Sequence, residues 1–311
     1  MKVYHSIEEF EKVDNGVVTI GTFDGVHVGH QKIISTLKQI AKNKNGETIV
    51  LTLHPHARMV LFPDDTTLKL ITTIEERTTL FRSFGIDHLI IHPFTLAFSE
   101  LSATAFIKDI LVEAIGTKTL VIGYDHHFGK KREGNYELLE KLAPVYHFDL
   151  EEIPEQDINS IAVSSTKIRT ALMQGDVATA NEFLGYDFEL TGEVIHGEAI
   201  GKTIGYPTAN IQVKDAYKII PAEGIYAVLV KVDDDLFKGM LYIGNRPTLH
   251  GSKQSIEVNI LDFDRDIYGQ TITIIFKQKI RDDKKLNSLE ELKLQIDQDK
   301  MATIKLLSQT Y

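Results

Sequence analysis

The run Val17-Val-Thr-Ile20 is apolar and β-branched, and it opens directly onto Gly21-Thr-Phe-Asp-Gly-Val-His-Val-Gly-His30. Such a run reads as a buried strand. Beyond the glycine-punctuated segment, Ile33, Ile34, Leu37 and Ile40 fall on one apolar stripe of a helix. Strand, glycine turn and helix start thus follow one another. At a helix start the backbone N–H groups lack partners and the dipole favours anions. Gly21, Gly25 and Gly29 allow close backbone approach, and His27 and His30 can present both imidazoles to one ligand. The combination suits a triphosphate, with neutral-to-cationic donors for charge developing on a departing pyrophosphate. The simpler reading is a tight turn carrying two surface histidines.

The same grammar continues to about Leu150. Strand-like runs at residues 48–53, 88–92, 119–122 and 145–148 alternate with helical stretches at 73–84, 103–115 and 136–142. Thr73-Ile-Glu-Glu76 is a capping box, and Gly85 and Gly116 are helix stops. Alternation at this spacing predicts right-handed βαβ units and a parallel sheet, with ligands beyond the carboxyl ends of the strands. Two short helices after Ser164 stop at Gly175 and Gly185. The pattern then becomes strands alone, at 188–194, 225–232, 238–243, 255–261 and 270–279, joined by Gly-, Asp- and Pro-containing turns. That reads as an antiparallel barrel. A last helix starts at Ser288-Leu-Glu-Glu291 and is expected to bury Leu289, Leu292 and Ile296. The domain boundary is expected at 185/186, giving domains 1–185 and 186–311.

Composition narrows the classes. At 311 residues, 43% of them apolar, the chain can hold two ordinary domains. No apolar run approaches the ~18 residues of a membrane span, and the first residues form no signal peptide. The absence of cysteine excludes thiolate metal sites and fits a cytoplasmic protein. A net charge of -10, with no basic cluster beyond Lys130-Lys131-Arg132, argues against a nucleic-acid partner.

Five further segments invite a chemical reading, and the third of them fails it. In Val163-Ser-Ser-Thr-Lys-Ile-Arg169, the hydroxyls of Ser164, Ser165 and Thr166 stand at a helix start, with Arg169 able to bind phosphate bidentately. Ordinary N-capping is the competing explanation. Gly123-Tyr-Asp-His-His-Phe-Gly129 follows a strand, so Asp125 can orient a substrate and Phe128 can stack on a flat ring. Gly197-Glu-Ala-Ile-Gly-Lys-Thr203 falls one residue short of a P-loop and lies among antiparallel strands. In Gly201-Lys-Thr-Ile-Gly-Tyr-Pro-Thr-Ala-Asn210, Thr208 and Asn210 are neutral oxygen ligands suited to Mg²⁺ bound with nucleotide phosphates, although turn roles would also explain them. Finally, Ser255-Ile-Glu-Val-Asn-Ile260 alternates, so Glu257 and Asn259 share a face. Glu257 is either a solvated strand residue or a base for an alcohol.

The first segment resembles the HxGH signature of the nucleotidyltransferase superfamily. With VSSTKIR, GYDHHFG, GKTIGYPTAN, IGNRPT at 243–248 and EVNILDFDRDIYG at 257–269, nearly the whole chain resembles the bacterial bifunctional riboflavin kinase/FAD synthetase family. Asn259 stands where relatives commonly carry His, His126 where Phe is usual, and Ala57 where a second Pro is usual. The resemblance implies a Rossmann-like N-terminal FMN adenylyltransferase domain with a parallel sheet. It also implies a C-terminal riboflavin kinase, an antiparallel six-stranded β-barrel with a terminal helix. In the first, Gly21, Phe23, Gly25, Gly29, Ser164, Ser165, Thr166 and Arg169 would bind ATP. His27 and His30 would act on its phosphates, and Asp125 and Phe128 would meet the flavin. In the second, Gly201, Lys202, Thr208 and Asn210 would bind ATP, Thr208 and Asn210 would hold Mg²⁺, and Glu257 would accept the riboflavin hydroxyl proton. ATP, riboflavin, FMN and FAD are the implied substrates and products. The implied enzyme is a cytoplasmic monomer or weak homo-oligomer without nucleic-acid or membrane partners. Two other readings compete: a nucleotidyltransferase for another substrate with a regulatory barrel, and a flavin-binding protein without turnover.

Overall fold

The computed structural model describes residues 1–65, 67–124, 126–153, 163–197, 200–248, 251–285 and 288–308. They form two compact units, Met1–Ser165 and Thr166–Tyr311.

The first unit is built on a six-stranded sheet of order β1-β4-β3-β2-β5-β6. Its strands are β1 Lys2–Tyr4, β2 Gly16–Ile20, β3 Glu47–His54, β4 His88–Pro93, β5 Thr119–Gly123 and β6 Asp149–Ile153, and every pairing is parallel. All residues of β2 and β5 are buried, as expected for strands covered on both faces. Alternate side chains serve opposite layers. Val18, Ile20, Leu51 and Leu120 meet the helices Phe106–Ile115 and Tyr136–Tyr146 through Phe106, Leu111 and Leu139. Val17, Val50 and Val121 meet helix α1, Val28–Asn43, and the helix Ile74–Ser83 through Ile34, Leu37 and Phe81. The chain runs outward from β2 through β3 to β4, then returns to β5 on the other side of β2. The switch point therefore lies between β2 and β5, the place where open α/β sheets bind ligands beyond the strand ends.

Two expectations for this unit change. Residues 145–148 are not a strand. The helix from Tyr136 continues to Tyr146 with Pro144 in its last turns, and His147 caps it at φ 59°. The strand follows as Asp149–Ile153, an edge strand with only Leu150 and Ile153 turned from solvent, so no apolar run announces it. The 103–115 helix exists, but from Phe106 to Ile115 its hydrogen bonding is π-type.

The second unit is a closed antiparallel barrel of order β10-β11-β8-β7-β12-β9. Its strands are β7 Glu189–Ile195, β8 Ala209–Gln212, β9 Gly224–Val232, β10 Asp235–Thr248, β11 Gly251–Ile260 and β12 Thr271–Arg281. The sixth strand, β8, is the short one that begins in the last two residues of the GKTIGYPTAN segment. Leu190, Val194, Ile272, Ile274 and Phe276 are buried at every second position, the period of a strand with one face inward. In β9 both faces are apolar, because Ala227 and Leu229 pack beneath Leu307 of the terminal helix, Leu289–Leu307. That helix buries Asp299, Thr303 and Leu307 rather than the face containing Leu289, which is 59% exposed. Leu292 and Ile296 are only half-buried. The polar face wins because Arg281 binds the Asp299 carboxylate from two sides, Nε at 2.9 Å and Nη2 at 2.7 Å. The helices Ser165–Met173 and Val177–Leu184 precede the barrel. Asn181 fixes the second of these, donating to Phe276 O and accepting from Phe188 N, both at 2.8 Å.

Candidate active sites

In the first unit β2 ends at Ile20 and the glycine turn begins. Gly21 has no room for a side chain, since a Cβ there would lie 2.9 Å from the Phe23 ring. The turn then passes through left-handed backbone at Phe23 (φ 48°), Gly25 (φ 81°) and Val26 (φ 36°). For a β-branched residue that is an outlier, holding about 1–3 kcal/mol of strain. Such conformations persist only where the surroundings over-determine them, and here they do. The Asp24 carboxylate, 3% exposed, accepts from Ile71 N and Thr72 N at 3.0 Å and faces Arg77 Nη2 at 3.5 Å.

His27 caps α1, its Nδ1 accepting from His30 N at 3.4 Å. The two imidazoles stack, with centroids 3.7 Å apart and planes at 18°, and Phe23 meets His30 edge-on at 5.1 Å. Burial first, then His27 and Arg77, hold the His30 pKa well below 6.5. His30 is therefore a neutral donor at pH 7, which narrows the neutral-to-cationic expectation. His27 is 6% exposed, so neither histidine is the loose surface residue of the simpler reading.

Ser164 is exposed, and Ser165 opens the helix Ser165–Met173. The Ser165 hydroxyl donates to Asp24 O at 3.1 Å, bringing the two phosphate-type segments together. Thr166 and Arg169 follow on the first turns of that helix, exposed and half-buried respectively. Asp125 lies outside the described residues. Phe128 is 8% exposed, wedged against Phe106 at 5.5 Å and stacked with His126 at 5.8 Å.

In the barrel, β11 brings the second group together. Glu257 pairs in register with Asn210 of β8. One carboxylate oxygen accepts from Thr208 Oγ1 at 3.2 Å and the other from Ser255 Oγ at 2.8 Å. Glu257 is 8% exposed, which removes the solvated-strand reading. Asn259, on the same face, donates to Pro207 O at 2.7 Å and so fixes the segment carrying Thr208. Gly197 makes room for Asn210, whose Nδ2 would lie 2.1 Å from a Cβ at that position. Gly201 and Lys202 sit in a single helical turn, Ile200–Thr203, closed by Tyr206 N donating to Gly201 O at 2.8 Å.

Sequence reasoning did not single out Asp24, Thr72 or Arg77, nor the Tyr206 hydroxyl that donates to Asp297 of the terminal helix. Asp24 lies inside the glycine-punctuated segment 21–30. Arg77 looks like any solvated helix arginine, and nothing in its spacing signals burial.

The FAD synthetase family model matches residues 9–167, and the riboflavin kinase model matches residues 184–307. Bifunctional riboflavin kinase/FMN adenylyltransferases are similar over nearly the full length. That of Listeria monocytogenes is 40% identical over 303 residues, covering 97% of this chain and 96% of the relative. That of Bacillus subtilis is 37% identical over 310 residues, with 98% and 96% covered. That of Escherichia coli K12 is 34% identical over 304 residues, with 97% and 96% covered. A solved Streptococcus pneumoniae chain described as a macrolide-efflux protein superposes with a TM-score of 0.86 at 30% identity, covering 97% of this chain and 98% of its own. Among the described residues, no helix of the present chain is long and apolar enough to cross a membrane.

Proposed function

The chain belongs to the bifunctional riboflavin kinase/FMN adenylyltransferase family, and from that premise we propose how its residues divide the two reactions. The enzyme phosphorylates riboflavin with ATP to give FMN and ADP, then adenylylates FMN with a second ATP to give FAD and pyrophosphate. Residues 1–185 carry the second reaction and 186–311 the first. Its partners are small molecules, and it works in the cytoplasm as a monomer or weak homo-oligomer without nucleic-acid or membrane partners.

In the kinase, Glu257 takes the proton of the riboflavin 5′-hydroxyl as that oxygen attacks the γ-phosphorus of ATP. The bond to the ADP oxygen breaks in line. An alcohol at neutral pH needs such a base, which typically contributes ~10²–10⁴-fold. Hydrogen bonds from Thr208 and Ser255 support this role by fixing both carboxylate oxygens. The hydroxyl of Thr208, the amide oxygen of Asn210 and the adjacent carboxylate are hard oxygen donors of the kind Mg²⁺ takes with nucleotide phosphates. Thr208 and Asn210 would hold that ion, which when bound neutralises phosphate charge, and Gly201 and Lys202 would meet the nucleotide.

In the adenylyltransferase, an FMN phosphate oxygen attacks the α-phosphorus of ATP and pyrophosphate leaves. This nucleophile is already anionic, so positioning and charge stabilisation suffice. N–H groups of the Gly21–Gly29 turn other than those of Gly21, Gly25 and Val26, which bond within the protein, neutral His30, His27, the hydroxyls of Ser164, Ser165 and Thr166, and Arg169 bind the phosphates. Asp125 and Phe128 meet the flavin.

The observation that carries the reading furthest is buried Glu257, bonded to Thr208 and opposite Asn210. Its test is incubation of the protein with riboflavin and Mg·ATP, with flavins resolved by chromatography. FMN should appear first and FAD after it. Riboflavin recovered unchanged would refute the kinase assignment.

A further inference from the structure

Arg77 is 2% exposed, on a helix whose other basic residue, Arg82, faces solvent. Its guanidinium is spent on the glycine turn and the segment beside it. Nη1 donates to Thr22 O at 2.8 Å, Nε to Thr72 Oγ1 at 3.3 Å, and Nη2 faces Asp24 Oδ1 at 3.5 Å. Thr72 Oγ1 in turn accepts from Gly25 N at 3.0 Å and donates to Asp24 Oδ1 at 3.2 Å. The circuit closes around residues 22–25, immediately before the left-handed Val26 and the start of α1.

We infer that Arg77 is a positioning residue for adenylyl transfer, holding the turn in its strained form through Asp24 and the Thr22 carbonyl without touching substrate. The inference rests on the reading of that turn as the ATP site of the transferase. Stability alone gives a weak reason for the arrangement, because well-packed apolar residues commonly replace a buried ion pair without loss. What an apolar pair cannot do is fix a carbonyl and a carboxylate two residues apart, and with them the backbone of the turn. The planar fork of arginine spans both acceptors, and the point charge of lysine does not. Donors aimed in advance at developing charge act mainly on the transition state. Slackening the turn should therefore appear in kcat more than in KM.

The test uses the whole protein, with riboflavin phosphorylation as the internal control. Arg77→Lys keeps the buried charge, and Arg77→Gln with Asp24→Asn removes both charges together, so neither variant leaves a bare buried ion. FAD formation from FMN and Mg·ATP should lose at least about tenfold in kcat in each, with KM for ATP changed less than about threefold. Kinase activity should stay within about twofold of wild type. If Arg77→Lys fails to fold, the double variant carries the same comparison. Wild-type kcat for FAD formation in either variant overturns the inference alone. So does a parallel loss of both activities that tracks the folded fraction. Absence of FAD formation by the wild-type protein removes the premise, and the inference with it.

Discussion

Thr208 Oγ1 lies 3.2 Å from Glu257 Oε2, joining the segment before β8 to the middle of β11. A hydrogen bond to a charged group contributes about 1.5–3 kcal/mol, so Thr208→Val, which keeps the shape and loses the hydroxyl, should lower kinase kcat/KM by roughly 10–100-fold. FAD formation from added FMN should be unchanged. Steady-state assays of both reactions on one preparation check this.

A second prediction concerns pH. The folded-state pKa of His30 is lowered well below 6.5, by burial first. Above the unfolded value both states are neutral there and His30 contributes nothing to the pH dependence of stability. As pH falls below 6.5 the unfolded chain takes up a proton that the folded chain refuses. Stability should therefore decline from pH 6.5 downward until the folded pKa is reached, by at most about 1.4 kcal/mol per pH unit. In His30→Asn the decline should be shallower, as measured by urea unfolding at pH 7 and pH 5. Equal declines in the two proteins would mean that His30 is not held neutral.

Tyr206 supplies a third. The hydrogen bond to Asp297, then burial, pushes its pKa up to about 12, so it stays a protonated donor throughout the working range. Tyr206→Phe releases the segment carrying Thr208 from the terminal helix. It should raise the kinase KM for Mg·ATP several-fold and leave FAD formation alone. Identical KM values would make the bond incidental.

Fragments test the division of activities. A piece covering residues 187–311 lacks the helix Val177–Leu184, whose Val177, Ala180 and Leu184 are fully buried. It also leaves Phe276 O and Phe188 N without Asn181. A piece starting at Thr166 keeps them. Both should make FMN and neither FAD, but the longer one should melt several degrees higher, since each lost bond costs about 1 kcal/mol. FAD made by either piece would overturn the assignment.

Much of this was legible in the chain. The turn, its two histidines and the change to antiparallel strands are local patterns of glycine and of apolar period. Residues acting across long sequence distances were not. Arg77 reaches Thr22 O, 55 positions away, and its helix pattern reads the same whether that side faces water or a carboxylate. β8 was hidden because two of its four residues, Ala209 and Asn210, belong to a segment whose proline and glycines read as a turn. The face of the terminal helix was misjudged because leucines normally point inward, whereas here Asp299 does, drawn by Arg281.

The most direct test of the whole account is Glu257→Gln, nearly isosteric but unable to accept the hydroxyl proton. Riboflavin phosphorylation should fall by ~10²–10⁴-fold, while the same protein converts added FMN to FAD at close to the wild-type rate. Normal phosphorylation by the variant, or equal loss of both reactions in a folded protein, would contradict it.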